Sequence, residues 1–267
     1  MTLLLQVSDP HFGTERPAVV AALEALVQAQ RPDVLLLTGD ITQRATRAQF
    51  AAARAFVDRL QVPAWLAVPG NHDIPLFNLP ARLLRPYGGF VRAFGPELEP
   101  EFENDAVLVL GLNTTRPWRH VDGELSAAQI ERVAQRAAQA ARAKPQQLRL
   151  VLVHQPLAVT RPDEARNLLH GHAAALQRWA AAGVHAVLGG HIHLPYVIPA
   201  TAAPAPPLWV VQAGTAVSHR VRPEAGNSVN FIRAEHTGAA PRWQVERWDH
   251  QPSKQRFERV AAHALGG

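Results

Sequence analysis

Cysteine is absent from the 267 residues of the chain. That excludes disulfides and thiolate metal sites, so a metal held here takes nitrogen and oxygen donors. Lysine is scarce as well: Lys144 and Lys254 stand alone, and the net charge of +5 rests on arginine. Those arginines are scattered along expected helices without running together. A modest surplus spread in that way reads as a solvated face before it reads as a nucleic-acid footprint. No apolar run is long enough to span a bilayer. Nor does the chain open on a signal-like apolar segment, because residue 1 runs almost directly into an expected strand. These absences lead to the expectation of a cytoplasmic protein without a membrane partner. Internal repeats are also missing, while a hydrophobic content of 47% is ample for one large α/β domain or two small ones.

What is present is a recurring arrangement, an apolar run that breaks into metal-ligand residue types. Ala64-Trp65-Leu66-Ala67 leads through Val68-Pro69 into Gly70-Asn71-His72-Asp73. Leu3 to Val7 leads to Asp9 and His11, Val34 to Leu37 to Asp40, Leu150 to Val153 to His154, and Ala186 to Leu188 to His191 and His193. Gly-Asn-His-Asp by itself suits a turn, because glycine and asparagine tolerate positive φ and aspartate caps turns. A lone histidine is more often a satisfied buried side chain than a ligand. Five strand ends carrying such residues together point to a metal site.

The order of elements supports that placement. Unbroken apolar runs without polar alternation are expected of strands buried on both faces. Helices are expected over 17–29 and 47–60, between strands at 3–7, 34–37 and 64–68. A β-α-β-α-β order implies right-handed crossovers and a mostly parallel sheet, whose functional residues lie beyond the carboxyl ends of the strands. Residues 75–105, with a helix expected over 81–94 and an acidic run at 97–105, read as an insertion near the site mouth. Strands at 106–112 and 148–153, a capped helix from Ser126 to about 142, a polar loop at 161–172 and a helix at 173–181 follow. After His193 only strands are expected, at 196–198, 208–213, 228–233 and 242–248, with a solvated Ala/Pro loop over 199–207. The expectation is a single domain over 1–250 and a C-terminal tail over 251–267 carrying a terminal helix.

In order along the chain, Asp9-x-His11, Gly39-Asp40, Gly70-Asn71-His72-Asp73, His154 and Gly190-His191-x-His193 resemble the five signature blocks of the calcineurin-like metallophosphoesterases, each intact. Gly111-Leu112-Asn113, Gly123-Glu124-Leu125-Ser126 with Gln129, and Gly214-Thr215-Ala216 are similar to motifs of the class III cyclic nucleotide phosphodiesterases. The resemblance covers residues 1–235 and implies a four-layer α/β/β/α sandwich of two mixed sheets with flanking helices. It also implies a dinuclear metal centre, with Asp9, His11 and His193 on one metal, Asn71, His154 and His191 on the other, and Asp40 bridging both. Two dications about 3.5 to 4 Å apart call for such an anionic bridge, and between them they activate a water and clamp the phosphoryl oxygens. Imidazole, carboxylate and amide donors suit manganese, iron or zinc better than calcium.

His72 falls outside the ligand count, which leaves it to contact the phosphate or protonate the leaving oxygen, with Asp73 setting its tautomer. Asn113, Arg116, Trp118, His120, Arg166 and Arg220 are the substrate-contact candidates, since the loops 114–122 and 161–172 are expected at the site mouth. The first reading is a hydrolase acting on a small phosphodiester, of the 3',5'-cyclic nucleotide phosphodiesterase type. A nuclease acting on DNA or RNA and a non-catalytic metal-binding scaffold are the alternatives. Intact ligands and His72 weigh against the scaffold, and the lack of a coherent basic patch weighs against the nuclease.

Overall fold

Two six-stranded sheets lie face to face in the computed structural model, which describes residues 1–200, 207–235 and 242–265. The first sheet is centred on β1 (Thr2–Val7), β2 (Val34–Thr38) and β3 (Ala64–Val68), which run parallel to one another. The second is centred on β5 (Val107–Gly111), β6 (Leu148–Leu152), β7 (Ala186–Gly189) and β9 (Trp209–Gln212), also parallel. Antiparallel strands complete both sheets: β4 (Glu101–Glu103) and β8 (Tyr196–Pro199) in the second, β10 (Ser228–Glu235) and β11 (Arg242–Gln251) in the first.

The period of two along a strand explains the apolar runs. Leu3, Leu5 and Val7 point outward into a core shared with helices α1 (Pro17–Gln30) and α2 (Arg47–Leu60), whereas Leu4 points inward toward the other sheet. Likewise Val151 and Val153 face α5 (Ala127–Ala143) and α6 (His172–Ala181), while Leu148, Leu150 and Leu152 face the first sheet. Both faces of each sheet are therefore covered, and the four layers are helix, sheet, sheet and helix.

Polar side chains tie the sheets together near the strand ends that carry the site. Gln6 on β1 donates to the Gly189 carbonyl of β7 at 2.9 Å, and Asn230 on β10 donates to the Gln212 carbonyl of β9 at 3.3 Å. Both side chains are almost wholly buried.

Three expectations change. The expected helix over 81–94 is two short helices, α3 (Leu79–Leu84) and α4 (Gly88–Phe94), because Pro86 forces Arg85 out of helical geometry. The polar loop expected at 161–172 contains a 3-10 turn over Pro162–Asn167. The C-terminal tail is a strand, β12 (Arg256–Leu265), where a helix was expected. A turn through residues 252–255, with Gln255 at φ 51°, folds it back antiparallel onto β11, so it becomes the edge of the first sheet. Pairing with a ready neighbour and burial of Phe257 in the α1 core outweigh the local helix preference. Of the expected Ala/Pro loop at 199–207, positions 201–206 lie outside the described residues.

Docking of the tail is measurable. Phe257→Ala should cost about 3 kcal/mol of unfolding free energy, the usual scale for emptying a buried aromatic site. Val260→Ala, at a half-exposed position of the same strand, should cost no more than about 0.5 kcal/mol. Denaturant midpoints would check the pair, and equal, small effects would mean an undocked tail.

Candidate metal centre

Every expected ligand lies just past the carboxyl end of a parallel strand: Asp9 and His11 after β1, Asp40 after β2, Asn71 after β3, His154 after β6, and His191 and His193 after β7. The first four come from one sheet and the last three from the other, so the site forms only where the two sheets meet. Asp9, His11, Asp40, His191 and His193 have φ of 49°, 45°, 47°, 72° and 58°. This left-handed region costs a non-glycine residue roughly 1 to 3 kcal/mol, and such strain persists where surrounding structure enforces it for a purpose. Two glycines make the close approach feasible. A Cβ at Gly70 would strike the Asp40 backbone nitrogen and carboxylate, and one at Gly190 would strike Ser8 Oγ and the Asp9 carboxylate.

The side chains converge. Asp9, His11 and His193 present one ligand atom each within 4.8 Å of one another, and so do Asp40, His154 and His191. His11 Nε2 and His193 Nε2 are 3.1 Å apart, His193 Nε2 is 3.2 Å from Asp9 Oδ1, and His154 Nε2 is 3.2 Å from Asp40 Oδ1. Asp40 links the groups, since its Oδ2 is also 3.8 Å from His11 Nε2. Asn71 lines the same cleft.

Surrounding donors and acceptors aim these atoms inward. Ser8 Oγ and the His191 backbone N–H donate to Asp9 Oδ2, which turns Oδ1 toward the histidines. The His72 backbone N–H donates to Asp40 Oδ1 at 2.8 Å. His154 Nδ1 contacts the Thr38 carbonyl at 2.9 Å and His193 Nδ1 the Arg220 carbonyl at 2.7 Å, so each ring offers its Nε2 lone pair to the centre. Asp9 Oδ1, Asn71 Oδ1 and His191 Nδ1 are buried without a well-aligned hydrogen-bond partner. Unpaired buried acceptors of this kind are costly unless something cationic satisfies them. The residues thus fit a pair of divalent ions.

The charge states of His11 and His191 suit ligation as they stand, while His154 must give up a proton to bind an ion. Burial holds the His11 and His191 imidazoles down at about 3, so both are neutral at pH 7, as a ligand must be. Burial works in the same direction on His154, but the Asp40 charge outweighs it and carries that imidazole up to about 9. Burial opposes ionisation of Asp9 and Asp40, yet the histidines around them keep both carboxyls below the usual carboxylate range. Two carboxylates are available to offset the charge of two dications.

Beyond the ligands, some expectations are corrected. Asp73 does not reach His72. Its fully buried carboxylate accepts from the backbone of Ile41, Thr42 and Gly70 and from Thr42 Oγ1, which pins the Asp40 loop to the Asn71 turn. The His72 tautomer is set by Gln43, whose carbonyl takes the Nδ1 proton at 2.9 Å. A backbone acceptor leaves no mark in sequence. Asn113 and Arg116 are spent inside their own loop: Asn113 Oδ1 accepts from Thr115, and Arg116 donates to the Asn113 and Thr115 carbonyls and to Gln129. Trp118 is 73% exposed and does not line the cleft.

Arg166 and Arg220 do line the cleft, of about 300 Å³, together with His72, Glu164, Asn167 and Arg222. His120 sits in an adjoining recess with His72, Gln43 and Leu76. Arg222 and Glu164 were not foreseen. They pair at 2.6 Å, and Arg222 Nε holds the Ile192 carbonyl between His191 and His193. Arg220 donates to Gln43 Oε1 at 2.9 Å, and its guanidinium lies 3.2 Å from His72 Nε2. His72 also comes close enough to His11 and Asp40 to complete a third donor group. A guanidinium in contact with its free nitrogen disfavours a dication there and leaves His72 to the substrate.

Comparison with known proteins agrees with this geometry. The chain is 27% identical over 212 residues, 74% of its own length and 76% of the other's, to a probable cyclic nucleotide phosphodiesterase of Synechococcus sp.. Its fold is similar to that of a dimetal phosphatase from Danio rerio, with a TM-score of 0.69 at 14% identity over 99% of this chain and 98% of that one. A purple acid phosphatase from yellow lupin seeds superposes with the same TM-score at 12% identity, over 98% of this chain and 53% of that one. The calcineurin-like phosphoesterase family profile matches residues 2–195, and a chain with this match, this sandwich and these converging donors belongs to that family.

Proposed function

We propose that the protein is a phosphodiesterase for small diesters, with 3',5'-cyclic nucleotides the favoured substrate class. The observation that carries this reading is Asp40, whose two carboxylate oxygens lie 3.2 Å from His154 Nε2 and 3.8 Å from His11 Nε2, one histidine from each donor group, at the floor of a polar cleft whose wall holds His72 and Arg220. The small volume of that cleft and the similarity to a probable cyclic nucleotide phosphodiesterase support a compact substrate.

Asp9, His11 and His193 would hold one ion and Asn71, His154 and His191 the other, with Asp40 between them. Such ions, manganese, iron or zinc, supply Lewis-acid polarisation of the phosphoryl oxygens and a water acidified toward neutral pH. The protein's own groups do the rest. Gln43 orients both polar arms of the wall, His72 through its carbonyl and Arg220 through its side chain. With Nδ1 so committed, His72 Nε2 faces the cleft, 4.0 Å from Asp40 Oδ2. As a water oxygen bonds to phosphorus and the P–O bond to the leaving group breaks, Arg220 turns from His72 to the phosphoryl charge, and His72, when it carries a proton on Nε2, donates it to the leaving oxygen. Arg166, on another part of the cleft wall, adds a second cationic contact.

Hydrolysis should disappear after chelation and return with added manganese, and full activity in protein verified as metal-free by elemental analysis would refute the reading. A panel of cyclic nucleotides, linear diesters, phosphomonoesters and single-stranded DNA, assayed with manganese-loaded protein, ranks the substrates. Preference for DNA would make the protein a nuclease. Asp40→Ala removes the shared carboxylate, so metal content and turnover should fall together. His72→Ala should keep the metals while turnover drops roughly 10²- to 10⁴-fold, the scale of a positioned acid or base. That defect should be much larger on a cyclic nucleotide, whose alkoxide leaves poorly, than on a nitrophenyl diester. Equal defects would reassign His72 to phosphate binding.

A further inference from the structure

The lobe beside the cleft has an unusual composition. From Ile74 to Phe94 there is no acidic residue, while Arg82, Arg85 and Arg92 are present. Its apolar side chains do not all enter the core: Phe77 is 80% exposed, Leu83 73% and Leu84 81%. Trp118, 73% exposed, joins them across the loop. One buried guanidinium gathers these pieces. Arg82 on α3 donates to the carbonyls of Pro75, Pro117 and Arg119, which brings the α3 tip, the Phe77 turn and Trp118 around a single point. Large apolar side chains exposed together in this way mark an interaction surface.

Charge narrows the partner. Arg85 and Arg44 are exposed and form no ion pair among the described residues, and Arg44 stacks over the Phe77 ring at 5.5 Å. A second copy of the chain fits poorly, because a two-fold interface brings the same patch against itself and would set these arginines against their own copies. Exposed Phe, Leu and Trp interleaved with unpaired arginine match the physics of an anionic lipid interface: the rings and aliphatic chains enter the head-group region while the guanidiniums meet lipid phosphates. No described helix is long and apolar enough to cross a membrane, so contact through this lobe would be peripheral.

We propose that Phe77, Leu83, Leu84 and Trp118, flanked by Arg44 and Arg85, form a docking face for an anionic lipid surface. The recess holding Ile74, Leu76, His120 and His72 lies at the root of this face, so docking would bring the cleft close to the bilayer. The docking is independent of which phosphoester the site cleaves, and its test reads binding without relying on turnover.

The test is co-sedimentation of the full chain with vesicles of phosphatidylcholine alone and of phosphatidylcholine mixed with phosphatidylglycerol, at low and at higher salt. Binding should require phosphatidylglycerol and weaken with salt. The double variant Leu83→Ser/Leu84→Ser and, separately, Arg85→Glu should each reduce it by about tenfold or more. Both changes are at exposed positions, and an unchanged circular dichroism spectrum and denaturant midpoint would verify that the variants are folded. Failure to sediment with either vesicle would overturn the proposal, as would equal binding to both. A wild-type dimer in sedimentation equilibrium that Leu83→Ser/Leu84→Ser converts to monomer would also overturn it, by making the patch an interface between copies.

Discussion

The carboxylate of Asp40 is the point on which the rest of the structure depends. It is buried at the seam between two sheets, within reach of histidines supplied by both, and its charge is tolerable there because those histidines offset it. Strand ends must therefore meet to within a fraction of an ångström, although they belong to separate sheets with separate helical covers. The inter-sheet apolar core brings them near but is not directional. Directionality comes from polar cross-links: Gln6 to Gly189, Asn230 to Gln212, and His154 itself to the Thr38 carbonyl at 2.9 Å. A buried polar network satisfied in this way specifies one alignment of the layers.

The same demand explains the distorted backbone. Five donors sit at positive φ because the chain must turn sharply off a strand and still point its side chain back over the strand end. Neighbouring hydrogen bonds maintain the turns. Asp73 binds the loop after β2 to the turn after β3, and Arg222, anchored by Glu164, holds the carbonyl of Ile192 between two donor histidines. Residues outside the candidate donor set thus decide where the donors stand. His72 is a further instance, since its orientation depends on Gln43, which also places Arg220.

Much of this was legible in the chain itself. Apolar runs without alternation required strands covered on both faces, and the cores on either side of β1 and β6 meet that requirement. Ligand residue types at strand ends, in company, located the centre, because in parallel sheets the loops at the carboxyl ends are where side chains from different strands can converge. The reading failed where local pattern and tertiary contact compete. Residues 256–265 pair with β11 because an open sheet edge was available beside them. Asn113 and Arg116 look like free polar groups in a loop, yet that loop needs Asn113 Oδ1 to accept from Thr115 and Arg116 to satisfy its carbonyls.

By itself, the sequence determined the alternation of strand and helix, the nitrogen and oxygen character of any metal site, and a set of candidate donors, because these follow from residue type, hydrophobic period and position relative to strand ends. Tertiary structure alone decided which donors share a space, which carboxylate lies between them, and which neighbours aim them. It also left a cationic, apolar lobe uncovered beside the cleft. Those outcomes rest on contacts between residues as far apart as Gln6 and Gly189 or Gln43 and Arg220, and such contacts exist only after two independently patterned sheets have been brought together and held in one alignment.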